Sequence, residues 1–140
     1  VLGVGRPVLV VPPGVERMSG KRVVVAWKDT REARRAVIDA LPFLKAAEEV
    51  FIAGAGDETP LATVQDVASY LARYGIVAKP VVEALTDGRP ATALLRIAQR
   101  VNADLIVTGA FGHSRMRQWV FGGVTRDLLD HAGVPVLFVH

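Results

Sequence analysis

Lys21-Arg22-Val23-Val24-Val25-Ala26-Trp27-Lys28-Asp29-Thr30-Arg31-Glu32-Ala33 is the stretch whose reading decides the fold. Lys21 to Trp27 is β-branched and uninterrupted, the mark of a strand buried on both faces. Asp29 and Thr30 are both good helix N-caps. Ala33, Ala36, Val37, Ala40, Leu41 and Leu44 then recur at helical spacing. They predict one amphipathic helix over Arg31 to Leu44, limited or bent by Pro42. A buried strand running straight into a capped helix is the opening of a β-α-β unit.

The same alternation continues along the chain. Val50 to Ala53 reads as a second short strand, closed by Gly54 and Gly56. Thr59-Pro60 reads as a cap with proline at the first helical position. Leu61, Val64, Val67, Ala68 and Leu71 line one face of that helix, and Gly75 ends it. Val77 to Glu83 is a third strand, Asp87-Gly88 a turn, and Pro90 opens a helix through Val101. Leu105 to Thr108 is a fourth strand. After a long loop, Val124 to His131 is helical and Val136 to Val139 is the last strand. Alternating strands and helices imply right-handed crossovers and a mainly parallel sheet with helices on both faces. The fold class is therefore α/β. In such sheets ligands sit beyond the carboxyl ends of the strands, where strand order reverses.

Composition narrows the function classes. At 140 residues the chain suits one domain. It has no cysteine, which excludes disulfides and thiolate metal sites and fits a reducing, cytoplasmic setting. Its apolar runs are too short to cross a bilayer, so no membrane partner is expected. A net charge of +3 is spread over the surface and aromatics make up 6%. That is not the basic stripe with stacking rings of a nucleic-acid binder. No two histidines have a metal-ligand spacing. No nucleophile elbow is present, and Ser114 has no acid-base pair beyond its neighbour His113. No catalytic residue is assigned, and the chain is not read as an enzyme. Slow ATP hydrolysis is the most that Asp29 would support.

The first residues echo the last. Gly5-Arg6-Pro7-Val8-Leu9-Val10-Val11 matches Gly133-Val134-Pro135-Val136-Leu137-Phe138-Val139 at five of seven positions. Residues 1 to 20 are accordingly read as the closing strand and linker of a preceding repeat, cut upstream, and residues 21 to 140 as the domain proper. The remnant strand Pro7 to Val11 is expected to pair with the edge strand Val136 to Val139, of this chain or of a second one.

One segment carries chemistry: Thr108-Gly109-Ala110-Phe111-Gly112-His113-Ser114-Arg115-Met116-Arg117-Gln118-Trp119-Val120-Phe121-Gly122-Gly123-Val124-Thr125. Glycines let backbone N–H groups approach an anion, and a helix N-terminus adds partial positive charge. The loop is neither a Walker loop nor a dinucleotide fingerprint. From spacing alone, a plain turn remains the competing reading.

The pattern Gly109-x₂-Gly112-x₉-Gly122-Gly123 resembles the nucleotide-binding signature of universal stress proteins. The strand Val23-Val24-Val25-Ala26, the Asp87-Gly88-Arg89-Pro90-Ala91 turn, the Ala103-Asp104-Leu105-Ile106-Val107-Thr108-Gly109 strand and the ending Val134 to Val139 extend the resemblance over residues 21 to 140. It implies a three-layer α/β/α sandwich whose five parallel strands, counted from Lys21, lie in the order 3-2-1-4-5, with the remnant strand at the edge. It also implies stress-response function as a sensor or regulator, and a homodimer or tandem pseudo-dimer joined through the last strand. An ATP site, with magnesium, would be formed by Ala26, Trp27, Lys28, Asp29, Thr30, Gly109, Gly112, His113, Arg115, Gly122, Gly123, Val124 and Thr125. Two positions depart from the pattern. Lys28 stands where an acidic residue would contact the nucleoside, and Gly123 stands where serine or threonine would offer a hydroxyl. The rival reading is a dimerisation or protein-interaction domain of the same fold that binds no nucleotide.

Overall fold

Val23, Val24 and Val25 are each fully buried, and alternate side chains go to opposite faces of one sheet. Val23, Val25 and Trp27 join one hydrophobic cluster, whereas Val24 and Ala26 join the other. That split is what a strand covered on both faces requires, and the rest of the molecule is arranged around it. The computed structural model describes residues 6–56, 59–109 and 123–139.

The elements in chain order are β1 (Val8–Val10), β2 (Arg22–Ala26), α1 (Arg31–Asp39), α2 (Leu41–Ala46), β3 (Glu49–Ala55), α3 (Leu61–Ala72), β4 (Ala78–Glu83), α4 (Pro90–Arg100), β5 (Leu105–Gly109), α5 (Gly123–His131) and β6 (Val136–Val139). They form a six-stranded sheet in the order β1-β6-β5-β2-β3-β4. Strands β2 to β6 run parallel, and β1 adds to β6 in antiparallel register, Val8 opposite Phe138 and Val10 opposite Val136. The five parallel strands keep the expected order, and the expected remnant strand lies on β6 of this same chain. One face packs on α1, α2 and α3 and the other on α4 and α5, which makes the three layers.

Several local expectations need correction. Arg31 to Leu44 is two helices, because α1 stops at Asp39 and α2 begins at Leu41. Pro42 opens the second helix instead of bending the first, since a missing N–H costs nothing in a first turn. Gly54 does not close the second strand but lies inside β3. Thr59 does not cap α3. Pro60 holds the cap position with no side-chain hydrogen bond, and Thr59 is buried. A Cβ at Gly54 would come within 2.6 Å of Thr59 Cγ2, so the bare glycine makes room for that side chain. Leu61, expected on the buried face, is 49% exposed because it opens the helix.

Other signals hold. Gly75 has φ +76°, and the Gly75 and Ile76 amides donate to the Ala72 and Leu71 carbonyls, ending α3. The linker that leads into β2 is pinned by Asp104, which precedes β5. Its carboxylate accepts from the Lys21 and Arg22 backbone N–H groups at 3.0 Å each, and from the Ser19 hydroxyl.

Candidate functional site

The sheet reverses direction between β2 and β5. From β2 the chain moves to β3 and β4 on one side, and it returns to β5 and β6 on the other. Ala26 lies opposite Thr108 at the carboxyl ends of this pair, so the segments after both strands emerge side by side. In open α/β sheets ligands bind beyond the strand ends at such a reversal point, which makes the crevice between these segments the candidate site.

Of the thirteen residues singled out in the sequence, Ala26 to Thr30 and Gly109 flank that crevice directly. Gly123, Val124 and Thr125 form the first turn of α5. Val124 packs on the cluster that contains Ala26, and Thr125 is buried. Gly112, His113, Arg115 and Gly122 lie outside the described residues, as do the Trp119-Val120-Phe121 segment and residues 1–5.

The side chains after β2 divide their roles. Ala26 packs on the α4/α5 side, and Trp27 on the α1/α3 side. The Trp27 backbone N–H is spent on the Ala53 carbonyl at 2.8 Å. Lys28 and Asp29 are exposed. The Asp29 carboxylate accepts from Arg34, one turn along α1. Thr30 is the N-cap of α1, and its hydroxyl accepts from the Ala33 N–H at 3.1 Å. Thr30 is therefore committed to the helix start, and its backbone is engaged too, the N–H donating to the Lys28 carbonyl at 2.7 Å and the carbonyl accepting from the Arg34 N–H at 3.1 Å.

Gly109 has a role that spacing did not reveal. A Cβ there would sit 2.7 Å from the Ala33 backbone nitrogen and 2.7 Å from the Glu32 carbonyl carbon. Its bare α-carbon lets the end of β5 press against the first turn of α1, which narrows the crevice. Thr108, just before it, is buried and donates to the Gly109 carbonyl at 3.1 Å. Among the described residues no group of three or more histidine, cysteine, aspartate or glutamate side chains is placed to hold a metal ion. No helix among them is long and apolar enough to cross a membrane.

A second concavity was not anticipated. A cleft of about 300 Å³ opens between α1 and α3, with Trp27 and Asp29 at the sheet end and Tyr70 on α3. A signal for it did exist in the sequence. Ile38 falls off the apolar stripe of α1 and is 53% exposed.

Comparison with known proteins fits this geometry. The family model described as the universal stress protein family matches residues 20–140. The stress response protein NhaX of Bacillus subtilis (strain 168) is 36% identical over 55 residues, which is 39% of this chain and 33% of that protein. A universal stress protein from Archaeoglobus fulgidus DSM 4304 superposes with a TM-score of 0.77 at 23% identity. That match takes in 95% of this chain but 49% of the other, so the chain spans about half of that relative. A universal stress protein solved in complex with cAMP superposes with a TM-score of 0.69 at 27% identity, over 86% of this chain and 96% of that one. A crevice at the reversal point of a parallel sheet and a family match from one end of that sheet to the other agree: the chain belongs to the universal stress protein family.

Proposed function

We propose that this chain is a stress-response binding module that holds an adenine nucleotide, ATP, in the crevice between Ala26–Thr30 and Gly109–Thr125. The observation that carries the reading is the pairing of Ala26 with Thr108 at the point where strand order reverses. The close seating of Gly109 on α1 supports it, as does the cAMP bound by a relative of the same fold. In this reading the backbone N–H groups at Gly109, Gly112, Gly122 and Gly123 cradle phosphate, with the first turn of α5 behind them. His113, Arg115 and the Thr125 hydroxyl add contacts. Lys28 replaces an acidic nucleoside contact with a cation suited to phosphate. In this reading the module senses or regulates, and the exposed Asp29 carboxylate pairs with Arg34 at the start of α1.

Native mass spectrometry of the purified chain, followed by ATP titration with and without magnesium, tests this. Saturable binding that Gly112→Val abolishes is expected. Gly123→Ser restores one neutral hydrogen bond, worth about 0.5–1.5 kcal/mol, and should tighten binding roughly two- to tenfold. No copurified nucleotide and no saturation at millimolar ATP would favour the ligand-free interaction domain.

For assembly we favour the tandem pseudo-dimer over a homodimer through the last strand. The outer edge of β6 is taken by β1, so a second copy would have to displace β1 to reach it. The echo between residues 5–11 and 133–139 supports reading β1 as the closing strand of a preceding repeat. So does the match of nearly the whole chain to half of a longer relative.

A further inference from the structure

We propose that the cleft between α1 and α3 is an extension of the nucleotide crevice, and that it selects an adenine nucleotide whose N6 amino group carries an apolar substituent. That assignment, which rests on the nucleotide reading of the crevice, names the ligand class for the same site. Helix α1 lies over β5 and β6, and α3 lies over β3 and β4. The gap between the two helices therefore falls over β2, and Trp27 and Asp29 line its sheet end. Both residues also belong to the Ala26–Thr30 segment that flanks the crevice. Cleft and crevice thus meet at the carboxyl end of β2 and make one groove.

Charge orients a nucleotide along that groove. Phosphate is drawn to the first turn of α5, Gly123 to Thr125, where a helix start carries partial positive charge. The cleft end repels it. There Asp29 is offset by Arg34, and Asp66 adds a further carboxylate. The base therefore points toward the cleft. On adenine, N6 is attached to the ring remote from the ribose, whereas C8 lies beside the glycosidic bond. A group on N6 lengthens the base toward the cleft, and a group on C8 stays over the crevice.

The cleft suits an apolar group. It measures about 300 Å³, and an apolar cavity of about 150 Å³ already holds a benzene ring. Val37 of α1 and Val67 of α3 are its buried apolar residues. Ile38 is 53% exposed, and the half-buried Tyr70 adds an aromatic wall. An unsubstituted base leaves Ile38 and Tyr70 uncovered. A ring carried on N6 covers both and packs its face or edge on Tyr70.

The test is calorimetric titration of the whole chain with ATP, N6-benzyl-ATP and 8-benzylamino-ATP. N6-benzyl-ATP should bind at least about tenfold more tightly than ATP, the gain expected for burying one aromatic ring. The C8 compound carries the same ring on the near edge of the base and should show no such gain. Thr63→Trp fills the cleft from α3 and should bring the ratio of the N6-benzyl-ATP and ATP affinities toward one. Ile38→Ser, at an exposed position where folding is not at stake, should lower the same ratio several-fold. The proposal is overturned if ATP binds and the N6 ring adds nothing, a result that leaves the nucleotide reading standing. It is also overturned if the C8 compound matches the N6 compound, or if the ratio survives both variants. If none of the three nucleotides binds, the nucleotide reading falls and the extension falls with it.

Discussion

Gly109 at the end of β5 and Ala33 in the first turn of α1 are packed so closely that no side-chain carbon fits between them. A Cβ on Gly109 would meet the Ala33 nitrogen at 2.7 Å. Both groups are backbone, so neither can swing aside as a flexible side chain would. Gly109→Ala should therefore cost about 1–3 kcal/mol of stability in urea unfolding, the range for forced overpacking. The same variant should weaken any ligand held in the crevice, because the helix and strand ends must move apart. An unchanged midpoint would show that the contact yields.

Asp104 ties the linker to the sheet through the Lys21 and Arg22 amides. Asp104→Ala leaves those two N–H groups without their acceptor. A loss of about 1–3 kcal/mol is expected. Hydrogen exchange should quicken at Lys21 and Arg22 before it quickens in the centre of β2. Uniform loss of protection across β2 would contradict a local role.

Asp87 gives the molecule an acid-sensitive helix start. Its carboxylate accepts from the Arg89 backbone N–H at 2.9 Å and from the Thr92 hydroxyl at 2.8 Å, just ahead of α4. Those hydrogen bonds, the backbone one first, hold its pKa below the ordinary 3.8. A carboxylate with a depressed folded pKa contributes stability that is fully present above 3.8 and is lost as pH falls through the folded value. Asp87→Asn should be less stable than the parent at neutral pH, and the gap should close in acid. Thermal melts across that range would reveal a parallel offset if the carboxylate plays no part.

Removing residues 1–13 deletes β1 and bares the outer edge of β6, Val136–Val139. Unpaired edges recruit other strands. Light scattering on the truncated chain should show dimers or larger species, and the parent chain should stay smaller at the same concentration. Equal masses would mean that the edge is protected in another way.

The parallel sheet was legible because β2, β3, β5 and β6 are short β-branched runs, each separated by caps and glycines. The break at Ala40 was not legible, since apolar spacing runs straight across it from Val37 to Leu44. Thr59 misled because its chemistry suits a cap, whereas its methyl is what Gly54 accommodates. For the candidate site, strand alternation made the adjacency of β2 and β5 legible, and with it the side-by-side exit of the segments after Ala26 and Thr108. It could not reveal that Gly109 serves a contact with α1, because that contact joins residues far apart in the chain. Nor could it reveal the cleft beside Trp27, whose walls come from two helices that only the fold brings together.

The antiparallel pairing of β1 with β6 also sets how the molecule answers to force. Val8 faces Phe138, so the chain enters β1 at the same end of the ladder at which it leaves β6. Tension between Arg6 and Val139 would load those hydrogen bonds one after another, peeling β1 away like a zip. The parallel pair β5 and β6 would be loaded along its length, with all of its bonds sharing the strain. Pulled by its ends, the chain should shed β1 at low force and leave the five-stranded parallel sheet intact.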